Sequence, residues 1–123
     1  MIIEYIAKVE DKINQIRWLI KNESIEVELP EETKIGYLKG DIVFIDDSRL
    51  FFAEIISSSK KTYRFHYMDK NNHLIQRWDT APHHKEIKTH PFHTHTPKTV
   101  FESKPLNLLQ VLDIISDSIR KSL

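Results

Sequence analysis

All seven histidines of this 123-residue chain fall between residues 60 and 104. Two arginines, a tryptophan and two aspartates lie in the same segment. The run Tyr63-Arg64-Phe65-His66-Tyr67-Met68 is followed by Asp69 to His73, then by Leu74-Ile75-Gln76-Arg77-Trp78-Asp79. His83 and His84 come directly after Pro82, and His90, His93 and His95 surround Pro91. Arginine can grip a phosphate with two parallel hydrogen bonds. Imidazole titrates in the range needed to move protons near neutrality. Tryptophan can stack an unpaired base, worth roughly 1–3 kcal/mol in single-strand binders. These are the parts that metal-independent RNA cleavage requires. A base takes the 2′-hydroxyl proton, an acid protonates the leaving 5′-oxygen, and a cation stabilises the phosphorane.

In that reading His66 and one of His83 or His84 share the proton transfers. Arg64 or Arg77 stabilises phosphate charge, Asp79 orients an imidazole by accepting its ring N–H, and Arg64 and Trp78 contact the nucleic acid. Other uses suit the same residues. Arg64 and Trp78 can form a structural cation–π pair with His66 packed beside them. A metal enzyme would draw ligands from His83, His84, His90, His93 or His95. The chain has no cysteine, no His-x-x-x-His on a helix, and only Asp79 and Glu86 as nearby carboxylates, so neither metal nor cofactor is expected. A binding module that blocks a cellular target would rely on exposed aromatics instead.

The hairpin must position these groups. Asn72 suits the left-handed position of a three-residue loop. That register pairs Met68 with Leu74, His66 with Gln76 and Arg64 with Trp78, placing those six on the open face. Tyr63, Phe65, Tyr67 and Ile75 then face the core, with Arg77 and Asp79 as a half-buried ion pair on the same side. A slip of one residue would exchange the faces.

Around the hairpin, Ile2, Ile6, Val9, Ile13 and Ile16 recur at helical spacing. Ile25 to Leu29 alternates as a strand and stops at Pro30, and residues 35–45 and 50–57 are β-branched and aromatic. Pro82, Pro91 and Pro97 predict an irregular histidine-rich stretch. Asn107 is the expected N-cap of a last helix, with Gln110 completing a capping box, and with Leu108, Val111, Leu112, Ile115 and Ile119 as its buried stripe. The order predicts an α+β domain over residues 1–123: about five antiparallel strands, with N-terminal and C-terminal helices packed on one face.

Net charge is zero, yet residues 1–59 carry seven Lys/Arg against twelve Asp/Glu, and residues 60–104 carry nine against four. The basic, histidine-rich segment is the part that would meet an anion. No apolar run approaches the ~20 residues of a membrane span, and the start lacks a secretory signal pattern. A cytoplasmic protein is expected.

The stretch from Tyr63 to Asp69, with Leu74-Ile75-Gln76-Arg77-Trp78-Asp79-Thr80-Ala81-Pro82-His83-His84, resembles the TumE family of toxins from prokaryotic toxin–antitoxin systems. Pro105 to Ile115 is similar to the family's closing helix. Matching positions include His66, Asp69, Arg77, Trp78, Asp79, His83, His84, Pro91, His93 and His95. Met68, Thr80 and Phe92 depart from the pattern, Phe92 standing where an imidazole is usual. The resemblance implies growth inhibition neutralised by a cognate antitoxin, usually a small DNA-binding protein. RNA is a further expected partner and a homo-oligomer is compatible; no membrane partner is expected. The resemblance fixes no reaction. The order of helix and antiparallel sheet is similar to small ribonuclease toxins of the RelE and barnase kind, by analogy of fold.

Overall fold

Isoleucines and valine at three- and four-residue spacing fold Ile2–Gln15 into helix α1, whose buried residues are Val9 and Ile13. The computed structural model describes residues 2–30, 34–58 and 60–123. A 3-10 turn at Arg17–Leu19 leads into β1 (Ile20–Glu28), β2 (Gly36–Phe44), β3 (Arg49–Ile56), β4 (Lys61–Met68) and β5 (Leu74–Asp79). Two short strands follow, β6 (His93–His95) and β7 (Val100–Glu102), before helix α2 (Leu108–Ser122). The seven strands form one antiparallel sheet in chain order. Among the described residues, no helix is long and apolar enough to cross a membrane.

Among the described residues, seven strands stand where about five are expected. The two additions come from the proline-broken stretch predicted to be irregular. Each spans three residues, too short for propensity to register. They exist because the outer edge of β5 offers unpaired N–H and C=O groups, which a segment of almost any composition can satisfy. Thr96 N–H donates to the Thr99 carbonyl and closes the turn between them.

Local chemistry sets both tight hairpins in the same way. Asn72 and Asp47 hold φ of 64° and 67°, the left-handed region that short polar side chains tolerate. In each turn the residue before the loop both donates to and accepts from the backbone across it. Gly40 meets a different need: β1 runs so close that a Cβ there would collide with the Ser24 carbonyl. Helix α2 starts as expected, with the Asn107 side chain accepting from Gln110 N–H and the Gln110 side chain accepting from Asn107 N–H.

Alternate strand residues and the two helical stripes join one core. Leu38, Ile42, Leu50, Phe52, Phe65 and Trp78 of the sheet share it with Ile13 and Ile16 and with Leu108, Leu112, Ile115 and Ile119 of α2. Within that core lies a buried carboxylate, Glu54. The Tyr5 hydroxyl donates to it at 2.6 Å and accepts from the Leu108 N–H at 3.0 Å. One phenol thus ties α1 to β3 and to the first turn of α2.

Burial raises Glu54 from 4.5 to about 7, against the pull of the Tyr5 hydrogen bond. A raised carboxyl stabilises the fold at low pH, and that contribution, roughly 3 kcal/mol, fades as pH rises through about 7. The Glu54→Gln variant should lose this dependence. Thermal unfolding of variant and wild type between pH ~5 and ~8 isolates the effect. A constant difference in midpoint across that range would show that Glu54 does not titrate this way.

Candidate functional site: an arginine and histidine cleft over a buried aspartate

The register of β4 and β5 shifts once. Met68 pairs with Leu74, but Tyr67 pairs with Gln76, leaving Ile75 as an extra residue in β5. Beyond this bulge each β5 side chain takes the face opposite to the regular hairpin's. Phe65 now pairs with Trp78, Arg64 with Asp79, and His66 with Arg77. The expected pairs of His66 with Gln76 and Arg64 with Trp78 do not form. Met68 with Leu74 does.

The consequence is two parallel rows on the open face. Phe51, His66, Arg77 and His95 form one across β3, β4, β5 and β6, and Ala53, Arg64, Asp79 and His93 form the other. Trp78 lies beneath them, 3% exposed, in the core with Phe52 and Phe65. It cannot stack a base or lie over Arg64. Phe51 is an exposed aromatic of this face, 41% exposed, with the Arg49 guanidinium 5.6 Å from its ring centre.

Asp79 organises the second row. Though 4% exposed, its carboxylate accepts from Arg77 Nε at 3.0 Å and from the Ala81 N–H at 2.9 Å. His93 Nε2 lies 2.7 Å from Oδ1, and His95 Nε2 lies 3.6 Å from Oδ2. The expected Arg77–Asp79 pair is therefore present, on the open face and not the core face. His93 and His95, two residues apart on a strand, necessarily point to one side. That alternation was a usable signal, hidden by reading the segment as loop.

The connection after β5 brings His84 back over these rings. His84, His93 and His95 pack edge to face, with ring centres 4.7–5.3 Å apart and planes 64–73° apart. His84 Nδ1 lies 3.2 Å from Glu86 Oε1. His93 Nδ1 lies 2.8 Å from the Pro91 carbonyl oxygen; a carbonyl only accepts, so Nδ1 carries the proton. Thr89 pins the connection by donating to the Phe92 carbonyl and accepting from Ser103 N–H. Phe92 is core packing, its ring stacked 6.1 Å from that of Tyr63.

A cleft of about 550 Å³ opens here, lined by Arg64, Arg77, Asp79, His83, His84, His93 and His95 among others. His66 is not part of its lining. It borders a neighbouring hollow of about 510 Å³ with Phe51 and Asp41, and Arg64 lines both. Burial, and then the guanidiniums of Arg77 and Arg64, hold the His66 imidazole below its ordinary value. His95 is likewise lowered, by burial first and Arg77 second, against the opposing pull of Asp79. Of the remaining histidines, His73 and His90 are exposed outside the cleft.

A family model described as toxin TumE matches residues 7–123. The chain belongs to the TumE toxin family. No curated protein and no solved structure matches it. TumE membership makes the chain a toxin of a toxin–antitoxin system, which implies an antitoxin partner. In this TumE chain Asp79, His83, His84, His93 and His95 converge on one cleft.

The position of Trp78 is directly measurable. The other tryptophan, Trp18, is 58% exposed, so in a Trp18→Phe variant all indole emission comes from Trp78. It should be blue-shifted and resist acrylamide quenching, and Trp78→Ala should cost about 3–5 kcal/mol of stability. Red-shifted, readily quenched emission from folded protein would return Trp78 to the surface.

Proposed function

We propose that this toxin inhibits growth by cleaving RNA, through metal-independent transfer of the phosphate to the neighbouring 2′-oxygen. The observation that carries the reading is the place of Arg64 between two hollows, one bordered by His66 and the other by His84. A phosphate held by Arg64 and Arg77 has an imidazole on each flank, as in-line displacement demands. His66, kept neutral near pH 7 by burial and two guanidiniums, takes the 2′-hydroxyl proton. His84, whose Nδ1 faces the Glu86 carboxylate, returns a proton to the leaving 5′-oxygen. The pentacoordinate phosphorane carries an extra negative charge, and fixed guanidiniums stabilise it without reorganising. Asp79 holds Arg77 and the imidazoles of β6 in place, His83 contacts RNA at the rim, and Phe51 offers a stacking surface in place of Trp78.

Purified protein in chelator should cut single-stranded RNA and leave 2′,3′-cyclic phosphate ends. His66→Ala and His84→Ala should each slow the reaction by roughly 10²–10⁴-fold while preserving the thermal midpoint. Total RNA from cells expressing the toxin should be degraded, and RNA from cells expressing either variant should be intact. RNA left whole by folded wild-type protein, with toxicity unchanged in both variants, would overturn the proposal and favour a non-enzymatic target block.

A further inference from the structure

His93 is 2% exposed, and its Nε2 is buried with no properly aligned hydrogen-bond partner. Its Nδ1 proton is committed to the Pro91 carbonyl, so in the neutral ring Nε2 carries the lone pair. That lone pair sits 2.7 Å from a carboxylate oxygen of Asp79. Two electron-rich atoms at this separation, sealed from water, repel unless Nε2 carries a proton or a metal ion. One ring nitrogen from each of His84, His93 and His95 lies within 4.8 Å of the others. The three rings are mutually tilted like the blades of a propeller.

We propose that His84, His93 and His95 form a tripodal site for a divalent first-row transition-metal ion, zinc above all, on the wall of the cleft. Zinc–nitrogen bonds of ~2.0–2.1 Å set tetrahedral ligand nitrogens roughly 3.4 Å apart. The half-buried rings of His84 and His95 therefore need to close by up to about 1.4 Å on the fixed His93. Both Nδ1 atoms with a known partner face an oxygen outside the triad, Glu86 for His84 and Pro91 for His93. Ligating histidines are oriented this way, with the outer nitrogen donating and the inner one free to bind. Arg77 faces the site and opposes a cation, while the Asp79 carboxylate offsets it. An all-imidazole set selects zinc, copper, nickel or cobalt over magnesium and calcium, which prefer oxygen. Three protein ligands leave a fourth position open.

One consequence rests on the proposed ribonuclease reading. A His84 lone pair bound to metal cannot carry a proton, so loading the site should silence cleavage reversibly.

Cobalt(II) titrated into metal-free full-length protein tests the site without reference to activity. The expected result is an intense visible absorption of tetrahedral cobalt at one ion per chain, displaced by zinc and unaffected by magnesium. It should weaken by at least ~10–100-fold in His84→Ala, whose ring is not core, and persist in His83→Ala. Zinc should raise the thermal midpoint of wild type and not of His84→Ala. Folded wild type with neither the absorption nor the thermal shift overturns the inference, as does equal cobalt affinity in His84→Ala. If cobalt binds as expected but chelated protein leaves RNA intact, the site stands and the ribonuclease reading fails. If chelated protein cuts RNA and zinc does not slow it, silencing is overturned.

Discussion

The unpaired residue Ile75 sets which β5 side chains reach the open face, because side chains on a strand alternate and one inserted residue inverts all that follow. With Ile75 bulged, Arg77 and Asp79 fall on the face of Arg64 and His66, while Trp78 fills the core against Phe65 and Phe52. Without it, the indole would stand outside and a guanidinium–carboxylate pair would be pressed into an apolar layer. Burying a bare ion pair there would carry a desolvation penalty of several kcal/mol per ion. Burial of the indole and placement of the pair outside the apolar layer favour the bulged register together.

Asp79 is the second constraint. A nearly buried carboxylate persists only where donors surround it, and here Arg77 and the Ala81 N–H supply hydrogen bonds while two imidazoles crowd in from β6. That concentration gives β6 its purpose. Three residues of strand would be a marginal addition to a sheet, but they deliver His93 and His95 to the only face where Asp79 can reach them. The Thr89 bonds to Phe92 and Ser103, with Phe92 plugged against Tyr63, hold the intervening connection so that His84 completes the triad.

A toxin has to be potent when free and harmless when neutralised, and this open face is suited to both. Arg64, His66 and Phe51 stand on one continuous surface with the cleft, and a partner covering that surface would block the RNA access proposed for it. The hydrophobic core lies beneath it, where the Tyr5 hydroxyl bonds both Glu54 and the first turn of α2.

Local sequence determined a good deal. Residue periodicity set α1 and the buried stripe of α2, Asn107 and Gln110 set its cap, Asn72 set the hairpin turn, and the TumE-like run marked where cations and imidazoles gather. These are interactions within a few residues, so they can be read along the chain. Tertiary structure alone decided the side of the sheet on which each β5 side chain falls, the recruitment of β6 and β7, the retreat of Trp78, and the separation of His66 from the histidine cleft. Those outcomes depend on strand pairing and on which groups tolerate loss of water. Such comparisons are made between residues far apart in sequence, and no window along the chain contains both sides of them.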